Sequence, residues 1–162
     1  MRSVIIRILF KWKGTMMNKY LLIALMLVNV SMPAKAAEHT VNLVTTGSDG
    51  QTMVMEPGYI NIAVGDVINF VPSDATHNAE SLSIPTGAKK FTTPYGQPTK
   101  VTFDTEGVYI YKCVPHITMG MIGVIQVGNA VNLDATKAAM AQLKPMVFMN
   151  KERLDQYLSQ IQ

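Results

Sequence analysis

The sequence predicts an all-β sandwich closed by two C-terminal α-helices, and three observations predict it. Short runs rich in β-branched and aromatic residues recur between residues 41 and 127 with turn residues between them. Strict alternation over Tyr59-Ile60-Asn61-Ile62-Ala63-Val64, followed by Gly65-Asp66, marks a half-buried strand and its turn. From Asn132 onward the period changes from two to that of a helix.

In chain order the strands are expected at Val41 to Thr46, Thr52 to Glu56, Tyr59 to Val64, Val67 to Pro72, Thr99 to Asp104, Val108 to Cys113 and Met121 to Val127. One face of each fills the core. The first helix runs to about Leu143, with Asn132 as its N-cap and Asp134 in its first turn, and Pro145 ends it. A second helix fits residues 151 to 161, where Asn150 caps and Leu154, Tyr157, Leu158 and Ile161 form an i, i+3, i+4, i+7 stripe. That stripe is expected to dock on the sandwich.

With 162 residues the chain holds one domain. Its formal charge of +3 misleads. Arg2, Arg7, Lys11, Lys13, Lys19 and Lys35 lie in the first 36 positions, which hold no acidic residue, so the remainder carries eight basic against eleven acidic side chains. A domain of about −3 is a poor fit to nucleic acid. Residues 1–36 read as a signal peptide, because Lys19 precedes the apolar run Tyr20 to Val28 and Ala34-Lys35-Ala36 offers a small-x-small cleavage site. The run falls short of the roughly 20 residues that span a bilayer, so no stable membrane association is expected. A second basic and apolar stretch, Val4 to Phe10 with Lys11 and Lys13, precedes this signal, so a start at Met16 or Met17 is an alternative to Met1. Residues 37–162 then form the mature domain.

The chemistry concentrates in Cys113-Val114-Pro115-His116-Ile117-Thr118-Met119-Gly120-Met121, with His77 upstream in a polar turn. One thiolate, two imidazoles and a thioether are the ligand set of a blue-copper electron-transfer site. Cys113 is the sole cysteine, so no intrachain disulfide can protect it in an oxidising compartment, and metal ligation would. Met121 starts a strand whereas Met119 lies in the loop, which favours Met121 as the axial ligand and leaves Met119 its rival. His39, near the cleavage point in an expected frayed terminus, is left out. Pro115 has no N–H to donate to the sulfur, whereas the backbone of Asn78 can donate and its side chain can tie the two ligand loops.

These residues resemble the small blue-copper proteins, and most closely the pseudoazurins, over essentially the whole mature chain. Met53-Val-Met-Glu-Pro-Gly-Tyr-Ile, Gly65-Asp66-Val-Ile-Asn-Phe-Val-Pro, His77-Asn78, Gly87-Ala-Lys-Lys-Phe, Cys113-Val-Pro-His116, Met119-Gly-Met121-Ile and Asn132-Leu-Asp carry the likeness. Plain plastocyanins and amicyanins lack the helical extension. The resemblance implies a cupredoxin-like Greek-key sandwich with His77, Cys113, His116 and Met121 binding one copper ion. It also implies a periplasmic, monomeric electron carrier serving denitrification enzymes such as copper nitrite reductase, with cytochrome c as a further redox partner. Met53 is then expected near the exposed imidazole, and Lys89, Lys90, Lys100 and Lys112 around the copper end, although Ala75 stands where the family often has lysine. Pro115, Ile117 and Met119 would complete an apolar contact patch.

Two rivals remain. An enzyme needs an open metal position that four ligands do not leave, and no second histidine cluster is present. A copper chaperone or store would use the twelve methionines, but several lie in the signal and the others are scattered through strand and helix positions.

Overall fold

The computed structural model describes residues 35–162. The proposed signal therefore lies almost wholly outside the described residues. Among these, eight strands form two four-stranded sheets: β1 (Glu38–Thr46), β2 (Thr52–Glu56), β3 (Tyr59–Ile62), β4 (Val67–Pro72), β5 (Glu80–Ser83), β6 (Thr99–Thr102), β7 (Gly107–Lys112) and β8 (Ile122–Val127). One sheet has the order β2-β1-β4-β6 and the other β3-β8-β7-β5. β1 runs parallel to β4 and β3 parallel to β8, while the other neighbours are antiparallel. This is a Greek-key sandwich of the expected class. Helices α1 (Leu133–Leu143) and α2 (Glu152–Leu158) follow, and no helix among the described residues is long and apolar enough to cross a membrane.

Alternation builds the core. Val41 and Leu43 on β1, Ile68 and Phe70 on β4, and Tyr109 and Tyr111 on β7 point between the sheets and are essentially inaccessible. Phe70, Phe91 and Tyr111 meet ring to ring, with centroids 5.3 to 6.3 Å apart. The opposite faces of β7 and β8 are also buried, because Val108, Ile110, Ile122 and Val124 lie under Met140 and Leu143 of α1 and Leu154 of α2. Tyr157, Leu158 and Ile161 pack onto the same cluster, so the helical stripe docks as its spacing predicts. A strand covered on both faces cannot show a polar alternation, which is why β7 and β8 read as near-continuous apolar runs.

Several expectations need correction. β1 starts at Glu38, three residues earlier than read, so His39 is not frayed: it pairs with Ile68 of β4 and its Nε2 lies 2.8 Å from Asp66 Oδ2. β5 was missed because Glu-Ser-Leu-Ser has no apolar alternation. Asn132 makes no side-chain cap. Its amide instead bonds both backbone groups of Val108, accepting from N–H at 2.7 Å and donating to C=O at 2.9 Å, and so acts as a strand partner for β7. Asn150 does not cap α2 either. It adopts φ 53° and donates from Nδ2 to the carbonyl of Met119 at 3.0 Å.

Candidate metal centre

Strand direction assembles the site. β4 and β7 run toward the same end of the sandwich, so the segment after β4 brings His77 to the place where the segment after β7 brings Cys113 and His116. One donor atom from each of the three lies within 4.8 Å of the other two. The Nδ1 atoms of His77 and His116 stand 3.9 and 3.5 Å from Cys113 Sγ, and the two rings meet at 5.0 Å between centroids. Metal bonds of about 2.0 Å to nitrogen and about 2.3 Å to sulfur, as for a first-row ion such as zinc, place trigonal donors about 3.7 Å apart. The observed spacings bracket that value, so the donor set fits one ion.

Hydrogen bonding fixes which histidine nitrogen is free. Thr45 Oγ1 donates to Asp74 Oδ2 at 3.0 Å and lies 3.0 Å from His77 Nε2, which is itself 3.3 Å from the same carboxylate oxygen. A hydroxyl whose proton is committed to Asp74 accepts from His77, so Nε2 carries the ring proton and Nδ1 presents a lone pair toward the sulfur. Burial holds the His77 imidazole below its usual pKa against the nearby Asp74 charge, keeping it in the neutral form that binds metal. Asp74 is held well below the usual carboxylate range, chiefly by hydrogen bonds from the Thr76 side chain and backbone. Sequence reading passed over both supports. Asp74 sits three residues before His77, a usable signal, whereas Thr45 comes from β1 and has none.

The sulfur is fully buried and its surroundings are prepared. Desolvation pushes the Cys113 thiol up, and backbone hydrogen bonds from Asn78 and His116 pull it back. Asn78 also joins the ligand segments, since its Oδ1 accepts from the Val114 N–H at 2.9 Å. The Asn78 backbone donor is the one expected from the sequence, and the His116 backbone adds a second from the other segment.

Met121 is fully buried in the same cluster as Cys113, and its backbone is bound to both histidine-loop ends: its carbonyl accepts from Cys113 N–H at 2.9 Å, and its N–H donates to His116 C=O at 3.2 Å. Met119 is half-buried in a short 3-10 turn, Ile117–Met119, with its carbonyl held by Asn150. Gly120 closes the turn at φ 76°, where a Cβ would lie 2.7 Å from the Met149 carbonyl. Met53 packs against the cluster that contains Cys113 and Met121. His39 lies elsewhere, on Asp66.

The lysines expected around this end divide. Lys112 adjoins Cys113 but pairs with Glu80 at 3.3 Å, and Lys100 pairs with Glu38 at the opening of β1. Lys89 lines a small cavity with Asp104 and Thr105, beyond the end of β6 that pairs with the start of β4. Apolar groups are prominent instead. Pro115 is exposed, Ile117 is half-buried, and Phe148 and Met149 are 69% and 47% exposed while their N–H groups bond the Thr118 carbonyl at 2.8 and 3.2 Å.

The sequence profile of copper-binding proteins of the plastocyanin/azurin family matches residues 41–128. Pseudoazurin from Paracoccus pantotrophus is 39% identical over 138 residues, covering 83% of this chain and 91% of that protein. Pseudoazurin from Methylorubrum extorquens is 37% identical, with 83% and 89% covered. The crystal structure of native pseudoazurin from Hyphomicrobium denitrificans superposes with a TM-score of 0.68 at 35% identity, covering 77% of this chain and 98% of that one.

Proposed function

The chain belongs to the pseudoazurins, copper-binding proteins of the plastocyanin/azurin family, and on that premise we propose that it is a periplasmic one-electron carrier that donates to a denitrification enzyme such as copper nitrite reductase. We assign His77 Nδ1, Cys113 Sγ and His116 Nδ1, with the thioether of Met121 as a weaker fourth, as the donors that would hold one copper ion. The observation that carries this reading is the pair of imidazole nitrogens facing one buried sulfur at 3.9 and 3.5 Å. Burial supports Met121 over Met119: Met121 is fully inaccessible just before β8, whereas Met119 is half-buried in the turn.

When bound, copper supplies a site that exchanges one electron. The chain's part is to keep the ligands still. His77 is held by Thr45 and Asp74, Cys113 by backbone donors, and the two segments by Asn78, so the side chains that would hold the ion are fixed by contacts of their own. His116 is half-buried beside exposed Pro115 and the apolar residues of its own turn, which supports transfer through the imidazole edge to a partner such as the nitrite reductase or cytochrome c. A contact of that kind is small, below about 1,200 Å² in redox encounters, and it releases quickly. Four protein ligands leave no place for a substrate, so the reading is of a carrier rather than an enzyme.

The test is to add copper to the purified mature protein and record the intense visible band of a copper–thiolate bond, its loss in Cys113→Ser, and a reversible one-electron titration. Reduced protein should then pass electrons to copper nitrite reductase in solution. Absence of the band overturns the site. Ready transfer of copper to an acceptor, in place of electrons, would favour a chaperone or store.

A further inference from the structure

Arg153 is the largest fully buried side chain of the described residues, at 2% exposure. A buried guanidinium ordinarily sits on a carboxylate. Here all five of its N–H groups go to neutral oxygens. Nε and Nη2 donate to Gln51 Oε1 at 3.2 and 3.0 Å, Nη2 also donates to Thr52 C=O at 2.9 Å, and Nη1 donates to Met53 C=O at 2.6 Å and Gly120 C=O at 3.2 Å. No carboxylate lies within ion-pair distance among the described residues. Asp49, two residues before Gln51, is exposed and accepts from the Gln51 N–H at 2.9 Å.

The oxygens it collects belong to the metal end. Gly120 immediately precedes Met121, and Met53, held at φ 54°, packs on the cluster of Cys113 and Met121. One side chain from α2 therefore pins the ligand loop to the start of β2, across about a hundred residues of sequence.

We propose that Arg153 is a positioning residue for the ligand loop, and that its unneutralised charge biases the bound copper toward the reduced state. This rests on the copper assignment above. Reduction adds one electron from the redox partner and no proton, so the site becomes less positive, and a fixed positive charge in a poorly screened interior favours that state. A unit charge about 10 Å away in an effective dielectric of about 20 changes the equilibrium constant for reduction by about tenfold. The five hydrogen bonds do the positioning, and the missing carboxylate leaves the field in place.

Three variants separate the two roles. Gln51→Glu keeps the shape and the guanidinium but supplies the carboxylate from an exposed position. It is expected to fold, keep the copper–thiolate band, and lower the reduction potential by severalfold in the equilibrium constant. Arg153→Met removes both charge and clamp. It is expected to lower the potential by about tenfold in that constant, and in metal-free protein to speed amide hydrogen exchange at Gly120 and Met121. Arg153→Lys keeps the charge without the fork, so it carries the positioning test if Arg153→Met does not fold. A native potential in copper-loaded Gln51→Glu overturns the charge effect. Native exchange at Gly120 and Met121 in either folded Arg153 variant overturns the positioning. The exchange measurement uses metal-free protein, so its result stands apart from whether the four assigned ligands take copper.

Discussion

The side-chain oxygen of Asn78 accepts a hydrogen bond from the Val114 N–H at 2.9 Å, tying the segment that carries His77 to the one that carries Cys113 and His116. Asn78 is 1% exposed, so water cannot simply replace its oxygen. Asn78→Ala leaves the Val114 N–H without its partner and is expected to cost about 1 to 2 kcal/mol. Metal release to a chelator should quicken and the reduction potential should shift. Thermal unfolding and a chelator-competition time course check this, and an unchanged release rate would count against the tie.

The two methionines of the loop separate by location. Met121 is fully buried beside Cys113, so Met121→Ala is expected to change the visible spectrum and shift the potential while leaving the thiolate band present. Met119 is half-buried with only its backbone engaged by Asn150, so Met119→Ala should keep the native spectrum. Absorption spectroscopy of the two copper-loaded variants decides, and a perturbed spectrum in Met119→Ala alone would reverse the axial assignment.

What the sequence made legible was whatever depended on residue type and local period. Cys113, His116 and His77 stand out because few side chains bind soft metals, and the α2 stripe stands out because i, i+3, i+4 spacing has few other uses. What it hid depended on partners far along the chain. Glu38-His39-Thr40 looks like a polar terminus until β4 is beside it, and Glu80-Ser-Leu-Ser becomes a strand only against β7. Asn132 reads as a cap because local rules allow one, but the bare backbone of Val108 competes and wins. Arg153 falls between helix positions that look solvent-facing, and only the fold reveals the carbonyls of Thr52, Met53 and Gly120 that surround it.

Encounter with the redox partner is expected to depend more on apolar contact than on charge. Lys112 and Lys100 are each paired with a glutamate, whereas Phe148 and Met149 stand exposed with their backbones bonded to the turn next to His116. Phe148→Ala should lower the second-order rate of electron transfer severalfold with an unchanged reduction potential. Raising ionic strength should change the native rate only weakly, because the lysine next to Cys113 is already paired with Glu80. Stopped-flow measurements with reduced protein and nitrite reductase at several salt concentrations check both, and a steep salt dependence would restore electrostatic steering.

Acid stability is expected to hinge on Asp66, far from the metal end. Its carboxylate accepts from Ala37 N–H at 2.8 Å and Ala63 N–H at 3.0 Å, and His39 Nε2 lies 2.8 Å from Oδ2, so it fastens the start of β1 to the turn before β4. The His39 hydrogen bond, then that from Ala37, hold its pKa below the ordinary carboxylate value despite desolvation. A group whose folded pKa is depressed contributes its full stability above its unfolded pKa, near 4, and loses it as pH falls through the folded pKa. If processing leaves Ala37 as the amino terminus, as proposed, the nitrogen 2.8 Å from Oδ1 becomes an ammonium and the attachment strengthens. Asp66→Asn should therefore lower stability at pH 7 by about 2 kcal/mol, the scale of a charge-assisted hydrogen bond, and flatten the fall in urea midpoint between about pH 5 and pH 3. Urea titrations of both proteins across that range check it, and parallel curves would show that another carboxylate governs the acid limb.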